Sequence, residues 1–241
     1  MASAVVSGTA GVTAVPPTLT DQSNFQISFA TESTVNTEKN LMIVSPYEEE
    51  AHQLDLETLD VTNQLLAKAL VAMKSLREDY ATAPYEKTFN WSEIVNHLRQ
   101  LAKTSNVEWK EAAFYIVVFR SRIPPTTVYA DLGELDKAAH AEATKSGGFL
   151  KYVSVVAVIY ELDLETNGEF RYWFGTPDQE GRNLATCVWR RPEDAKAGSI
   201  GPAHRKAAGA TRYLYSDWKI ERLRLLIRDG AQDWEIGQWV D

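Results

Sequence analysis

The chain has 241 residues and a net charge of −8 at neutral pH, with 44% hydrophobic and 24% charged residues. This composition is typical of a globular protein that can bury a sizeable core. The acidic balance and the lack of a basic stripe argue against a nucleic-acid partner, and no apolar run is long enough to span a bilayer. We therefore expect neither nucleic acid nor a membrane among its partners.

The one cysteine, Cys187, excludes an internal disulfide framework and a multi-cysteine zinc site, and it favours a reducing compartment. No Lys or Arg precedes Lys39, so the sequence predicts neither a secretory signal nor an arginine-rich transit peptide. We expect a cytoplasmic protein, with the nucleus as the alternative. The sequence identifies no cofactor and no metal site.

Residues 1–45 are rich in Ser, Thr, Ala, Val and Gly. We expect a disordered or weakly ordered N-terminal lead. Within it, Gln26–Phe29 and Leu41–Val44 are either short strands or segments that dock on the body.

Residues 46–108 are predicted to form a helical extension. Its first helix has an apolar face from Leu59 to Leu76, capped by Asp60 or Thr62. Its second helix begins at Asn90-Trp91-Ser92-Glu93, where Asn and Glu have capping-box spacing.

Residues 109–241 alternate between strand and helix patterns. Phe114–Arg120 is apolar on both faces, as in a central strand. The elements expected after it are a helix over Leu132–Ala143 that ends at Gly147-Gly148, strands over Tyr172–Phe174 and Asn183–Trp189, a helix from Pro192 through Ala208, a strand over Trp218–Ile227 and a short strand over Trp234–Val240. This β-α-β-β-α-β order predicts an α+β, ferredoxin-like domain that follows the helical extension.

The strand over Asn183–Trp189 has two different faces. The face that suits packing under helices carries Leu184, Thr186 and Val188. The face with small residues in its middle carries Asn183, Ala185, Cys187 and Trp189. This second face either floors a ligand cavity, with Trp189 stacked on a planar ligand, or is a buried face that packs against another sheet, with Trp189 in the core.

His204 is the candidate catalytic residue. It lies one turn into an Ala-rich helix, where it can act as a base or a haem ligand, or as a structural hydrogen-bonding residue. His140, in the preceding helix, can converge on the same cavity and bind the ligand, or form a surface pair with Asp136. His52 and His97 belong to the helical extension and are expected to be structural.

Cys187 and Arg222 complete the candidate ligand-binding set. Cys187 has no helix N-terminus beside it in the sequence, which argues against a nucleophilic role and leaves it as part of the floor. Arg222 can bind a carboxylate or phosphate bidentately, or lie solvated near a strand end. The same alternatives apply to Arg182, Arg190, Arg191 and Arg224.

Motifs of common enzyme classes are missing from the sequence. It contains no G-x-G-x-x-G after a predicted strand, no P-loop, no H-E-x-x-H and no G-x-S-x-G. Common nucleotide-binding, zinc-protease and α/β-hydrolase functions are therefore disfavoured.

Several segments after residue 50 resemble an uncharacterised fungal protein family of similar length. They are LLAKAL, DYATAPY, FNW, FYIVVFRSR, AHAEATKSGG, YWFGTPD, GRNLATCVW and GPAHRKA. The resemblance covers nearly all of the chain after that point and implies no particular activity.

Residues 110–228 also resemble, more distantly, the dimeric α+β barrel superfamily, which includes antibiotic-biosynthesis monooxygenases and haem-degrading enzymes. The resemblance lies in a strand ending at Trp189, a helix containing Ala203-His204-Arg205-Lys206-Ala207 and a strand after Tyr215. It implies two sheets paired across a homodimer, and a small hydrophobic ligand between sheet and helices. The sequence lacks a clear counterpart of that superfamily's catalytic constellation.

Residues 152–171 interrupt the first resemblance, because the fungal family runs from LK directly into YWFG. Codons for Lys151-Tyr152-Val153 can contain an intron start, those for Thr166-Asn167 a CTAAC branch point, and those for Phe170-Arg171 a TTCAG acceptor. We therefore favour a translated intron, whose removal restores FLKYWFG in frame. The alternative is a real hairpin that turns at Thr166-Asn167-Gly168.

Two functions fit these patterns. The first is an intracellular protein that binds or transforms a small aromatic or polyketide-like molecule near Asn183, Trp189 and His204. The second is a non-catalytic oligomerisation or adaptor domain, whose sheet face is buried against a partner.

Overall fold

The computed structural model describes residues 40–154 and 177–240. The strands predicted at Gln26–Phe29 and Tyr172–Phe174, and residues 155–171 of the suspected intron, lie outside the described residues.

The described chain is a mixed structure of helices and antiparallel sheets. Its first part contains β1 (Leu41–Met42), β2 (Leu54–Asp55), α1 (Val61–Leu70), α2 (Tyr85–Thr88) and α3 (Trp91–Thr104). Its second part contains β3 (Ala112–Arg122), α4 (Tyr129–Ser146), β4 (Phe149–Ser154), β5 (Arg182–Trp189), α5 (Pro192–Ser199), α6 (Pro202–Leu214), β6 (Asp217–Ile227) and β7 (Trp234–Gln238).

The main sheet has five strands in the order β4-β5-β3-β6-β7, and every neighbouring pair is antiparallel. The central strand is β3, as its two-sided apolar sequence predicts. We call the face that carries Val117, Cys187 and Arg222 face A, because Val117 lies opposite both of the others in the register. Face B carries Val118, Thr186 and Glu221.

Face B is covered by the helical extension. The Tyr85 hydroxyl in α2 lies 2.8 Å from Thr186 Oγ1 on β5. Trp91, which begins α3, contacts Trp234 on β7 with 6.3 Å between ring centroids. The aromatic connection between α1 and α3 packs as well, since Tyr80, Tyr85 and Phe89 are buried.

Face A is covered only in part. Helices α4 and α5 contact β4 and β5, and α6 packs on α4. Over β6 the same face stays open, since Trp218 is 36% and Ile220 40% exposed. This difference between the two halves of face A leaves an accessible sheet surface beside the helices.

The first predicted helix ends earlier than its apolar pattern indicates. Helix α1 has the predicted cap, because the Asp60 side chain accepts from Asn63 N. It stops at Leu70, however, because the Asn90 side chain accepts from Lys74 N at 2.9 Å and donates to Ala72 O at 3.0 Å. These tertiary bonds also mean that Asn90 precedes α3 without capping it, so that part of the capping-box prediction was wrong.

The helix predicted from Pro192 through Ala208 is two helices. Pro202 begins α6, and Gly201 before it has extended backbone angles. Proline has no N–H to continue the helix, and it suits a first helical position. The break lets the carboxylate of Glu142 approach the start of α6.

Candidate functional site

The ligand-binding residues predicted on β5 lie on face A with different accessibilities. Asn183 and Trp189 are buried, whereas Cys187 and Ala185 between them keep accessible surface. Asn183 Oδ1 accepts from Leu184 N at 2.9 Å. The small middle of the strand is therefore the accessible part.

Trp189 packs in the core under α5. Its ring lies 4.9 Å from that of Phe149, between centroids, and a Cβ on Gly198 would lie only 2.5 Å from the indole. Glycine at position 198 thus allows α5 to approach the indole closely. Trp189 is therefore a core residue, which was one of its two predicted roles. Helices pack on it, however, where the prediction had a second sheet.

Asp136 lies between two tyrosines in the space between α4 and β4. Its carboxylate accepts hydrogen bonds from the Tyr47 hydroxyl at 2.6 Å and the Tyr152 hydroxyl at 2.9 Å. The residue keeps a little accessible surface, but its carboxylate is crowded by neighbouring atoms. This burial raises the pKa of Asp136 to about 6, and the two tyrosine hydrogen bonds oppose the rise.

Two buried histidines lie beside this group. Nδ1 of His52 and Nδ1 of His140 are 2.9 Å apart, so one ring donates a proton that the other accepts. Burial lowers the pKa of His140 to about 3, with help from the charges of His52 and His204. Nε2 of His140 is buried and has no hydrogen-bond partner among the described residues. A buried polar atom of this kind is available to a ligand or water.

The predicted surface pair of Asp136 and His140 was wrong. Asp136 bonds the two tyrosines, and His140 is 5% exposed and surrounded by aromatic rings, including those of Phe149 and Tyr152. The spacing of four residues does place both on one side of α4, but that side packs against β4 and the segment around Tyr47.

His204 lies in the first turn of α6, where Glu142 of α4 holds it in place. The Glu142 carboxylate accepts from Ala203 N at 2.8 Å and from His204 N at 2.9 Å. Nδ1 of His204 lies 3.5 Å from Glu142 Oε2, within ion-pair range but without hydrogen-bond geometry. Burial lowers the pKa of His204 and Glu142 opposes this, so the imidazole is mainly neutral at pH 7.

The structure places Arg222 and Cys187 in one row across face A. The register aligns Tyr152, Cys187, Val117 and Arg222 on four adjacent strands. Arg222 is exposed, and its guanidinium has no ion pair with any described residue. Burial raises the pKa of the Cys187 thiol well above its usual range, which keeps it protonated.

Aromatic side chains border this row. The ring of Trp218 stacks on Phe119 and on Tyr215, with centroid distances of 5.5 and 5.1 Å. The middle of the row, together with Ala185 and Phe119, is partly accessible. Face A therefore offers a small apolar floor with the exposed guanidinium of Arg222 at one end and a group of phenols, carboxylate and imidazoles at the other.

A cleft of about 740 Å³ lies on face B between residues 81–86 and the strands β6 and β7. Arg120 in its wall donates to Ala81 O at 2.6 Å, to Ala83 O at 2.9 Å and to Glu221 Oε1 at 3.1 Å. Its guanidinium thus ties the extension to the sheet. The other charges that line the cleft have mixed signs, which indicates no particular ligand.

Within residues 40–154 and 177–240, no three His, Cys, Asp or Glu side chains are grouped so that they could hold a metal ion. Over the same ranges, no helix combines the length and the apolar character needed to cross a membrane.

Sequence reasoning missed Tyr47, Asp136 and Tyr152 as a group. They come from the start of the helical extension, the middle of α4 and the suspected intron, so nothing in their spacing connects them. The sequence did contain one signal for this group. Asp136 is four residues before His140, which puts its carboxylate on the same side of a helix as the imidazole. The structure brings His140, His204 and Cys187 to this side of the sheet, while Asn183 and Trp189 lie in the core.

Comparisons with known proteins identify relatives over most of the chain. The model of the PB2B2.08-like family matches residues 43–157 and 163–238. The UPF0643 protein PB2B2.08 of Schizosaccharomyces pombe is 36% identical over 207 residues, covering 82% of this chain and 84% of the relative. The predicted membership of a fungal family is confirmed.

Solved structures with similarity are more distant. SnoaB, a cofactor-independent oxygenase from Streptomyces nogalater, has a TM-score of 0.33 and 14% identity, covering 45% of this chain and 89% of that one. A monooxygenase described as an antibiotic-biosynthesis enzyme, from Chloroflexus aurantiacus, has a TM-score of 0.31 and 17% identity, covering 53% and 94%.

Proposed function

This chain belongs to the PB2B2.08-like family, and we propose that it binds a small planar aromatic acid on the open part of face A. The observation that carries the proposal is the row Tyr152, Cys187, Val117 and Arg222, with an exposed guanidinium at one end and the Asp136 group at the other.

The length of the row sets the size of the ligand. Neighbouring strands lie about 4.8 Å apart, so Cys187 and Arg222 are separated by about 10 Å across the sheet. One or two fused aromatic rings fit this distance. Their flat faces match a floor formed by Val117 and Phe119, bordered by Trp218.

Arg222 selects for an anionic group on the ligand. A guanidinium presents parallel N–H donors that match a carboxylate, and its charge has no partner among the described residues that would compete. A hydrogen bond to a charged group contributes about 1.5–3 kcal/mol.

The far end of the floor suits a hydroxyl or carbonyl of the ligand. His140 contributes a buried ring nitrogen that has no partner among the described residues, and Asp136 contributes a carboxylate with a pKa of about 6. We propose His204 as the proton acceptor if the bound molecule is also transformed, because its ring is mainly neutral at pH 7.

The experiment measures binding of 1-hydroxy-2-naphthoate through its own fluorescence. Arg222→Gln is expected to weaken binding about 10- to 100-fold, because it removes the charged hydrogen bonds. Lys219→Gln is the control, since Lys219 is an exposed cation on the same strand but on face B. Equal affinity of the two variants, or no binding by the natural chain, would contradict the proposal.

We also infer a ferredoxin-like arrangement for β3, α4, β4, β5, the α5–α6 pair and β6. The order β4-β5-β3-β6 supports it, since the split β-α-β pattern puts the first strand between the third and the fourth.

A homodimer of the barrel type needs a free sheet face. Because the helical extension packs on face B and leaves only a cleft beside β6 and β7, such a dimer would have to use the open part of face A.

The second candidate is a non-catalytic oligomerisation or adaptor domain. It is favoured by the exposed Trp218 and Ile220, which form an apolar patch on face A. A partner that buries this patch would compete with the naphthoate. Two results together would support this candidate over the first: the natural chain does not bind naphthoate, and Trp218→Lys abolishes its self-association.

A further inference from the structure

The outer edge of β7 has no pairing strand among the residues that the structure describes. We propose that it pairs antiparallel with β7 of a second copy of this chain, so that two five-stranded sheets join edge to edge. This inference concerns a different surface from face A and does not depend on a ligand.

The backbone hydrogen bonds show which residues of β7 face outward. Arg228 N donates to Asp233 O at 2.9 Å, and Trp239 N donates to Arg222 O at 3.0 Å. In an antiparallel pair the inward-bonding residues alternate along the strand, so Glu235 and Gly237 also bond toward β6. Ile236 and Gln238 therefore point their N–H and C=O groups away from the sheet.

No strand within residues 40–154 and 177–240 pairs with this edge. The strand carries neither proline nor lysine, two residues with which natural proteins commonly block an exposed edge. The outward backbone groups of Ile236 and Gln238 are thus available to another strand.

Side chains on both faces hold β7 in its extended form. On face B, Trp234 contacts Trp91 and Ile236 packs against the core. Just beyond β7, Trp239 contacts Tyr115 with 5.1 Å between ring centroids. Because the edge is already ordered, pairing costs little conformational entropy.

The sequence of β7 is self-complementary around Ile236. In a twofold arrangement centred there, Ile236 lies opposite itself, Trp234 opposite Gln238 and Glu235 opposite Gly237. The central pair exchanges both of its backbone hydrogen bonds, because Ile236 faces outward. No like charges lie opposite each other, and open space surrounds the Gly237 Cα, so Glu235 of the second copy meets no side chain there.

This pairing is short, so it gives a concentration-dependent dimer rather than an obligate one. Sedimentation equilibrium should show a monomer–dimer equilibrium of the full chain in roughly the micromolar range. A chain that stays monomeric up to about 0.5 mM would overturn the proposal.

Substitutions of Gly237 test the register. Gly237→Lys places a cation opposite Glu235 of the second copy, Gly237→Glu places a like charge there, and Gly237→Gln is the neutral control. We expect dimerisation to be strongest for Lys, intermediate for Gln and weakest for Glu, with successive steps of about 2- to 30-fold for two symmetric contacts. Dimerisation that is the same for all three variants would overturn the edge pairing.

Ile236→Pro tests the edge itself. The Ile236 N–H points outward, so proline there removes a bond of the dimer and none of the β6–β7 ladder. Circular dichroism confirms that the variant folds, and dimerisation should be lost. Trp218→Lys should dimerise normally. A dimer broken by Trp218→Lys but not by Ile236→Pro would assign self-association to face A and overturn the proposal.

Discussion

Asp136 combines burial with two phenolic hydrogen bonds. Burial favours its protonated form, whereas donors to its oxygens favour the carboxylate, and burial is the larger effect. The folded chain therefore holds the proton of Asp136 to a higher pH than the unfolded chain does. The proton bound to Asp136 therefore makes the stability of the fold depend on pH.

Asp136→Asn should change the pH dependence of unfolding. The natural carboxyl has a pKa of about 6 when folded and near 3.8 when unfolded. Its contribution to stability is thus present below pH 4 and lost as the pH rises through 6. Relative to the natural chain, the variant should gain on the order of 2 kcal/mol in free energy of unfolding between pH 4 and pH 7, measured by urea titration.

His140→Gln is the matched comparison, because its effect has the opposite sign. The pKa of His140 is about 3 when folded and near 6.5 when unfolded, so its contribution is present above pH 6.5 and lost toward pH 3. Removing it should flatten the acid side of the stability profile. If both variants keep the natural pH profile, neither group is desolvated as described.

At the scale of elements, glycines decide how closely helices and strands approach. Gly148, between α4 and β4, has φ +72°, and a Cβ there would lie 2.3 Å from Asp194 Oδ2 and 2.8 Å from Asp194 Cβ. Asp194 is itself buried and bonded to Arg190. The turn after α4 and the start of α5 therefore fit together only with glycine.

Gly148→Ala should destabilise the fold by about 1–3 kcal/mol, because it combines a left-handed backbone with a clash. Gly209→Ala is the control within α6, where nothing lies within 4 Å of the new methyl group and the backbone is helical. It should stabilise the fold by about 0.5–1 kcal/mol. Thermal melts of both variants measure the difference, and shifts of the same sign would argue against this account.

At the scale of the whole molecule, the helical extension and the sheet form one core. Buried residues from α1, α3 and both sides of the sheet belong to a single hydrophobic cluster. Because the extension packs on face B, a ligand or a partner is left with the cleft beside β6 and β7, the open part of face A and the edge of β7.

Removal of residues 152–171 tests whether this segment is a translated intron. The deletion joins Lys151 to Tyr172, so a tyrosine again follows Lys151, and Phe174 takes the position of Ser154. The Ser154 hydroxyl is buried without a hydrogen-bond partner among the described residues. The shortened chain should fold and melt about 2–4 °C higher, because an apolar ring replaces an unpaired hydroxyl.

The same deletion with Phe174→Ser is the control, since it puts a hydroxyl back at the position of Ser154 and should lose the gain. Sequencing of the cDNA decides the origin of the segment directly. The family match leaves out residues 158–162 and includes the rest of the segment. A cDNA that contains codons 152–171, or a shortened chain that does not fold, would contradict the intron.

The sequence by itself determined most of the elements and their order, although it joined α5 with α6 and predicted no strand over Phe149–Ser154. Two-sided apolar character predicts the central strand over Phe114–Arg120, and Gly147-Gly148 predicts the end of α4, because these signals act within a few residues of the backbone. Local signals also explain the errors. Asn90 has capping-box spacing, but its side chain bonds Lys74 and Ala72, which no local pattern reveals.

Only the tertiary structure decided which side chains share a site. The register of β3 with β5 and β6 puts Cys187 and Arg222 in one row, although they are distant in the chain. Packing of α4 on β4 brings Asp136 to Tyr47 and Tyr152. Such contacts depend on how elements approach each other, and residue spacing within one element carries no information about that approach.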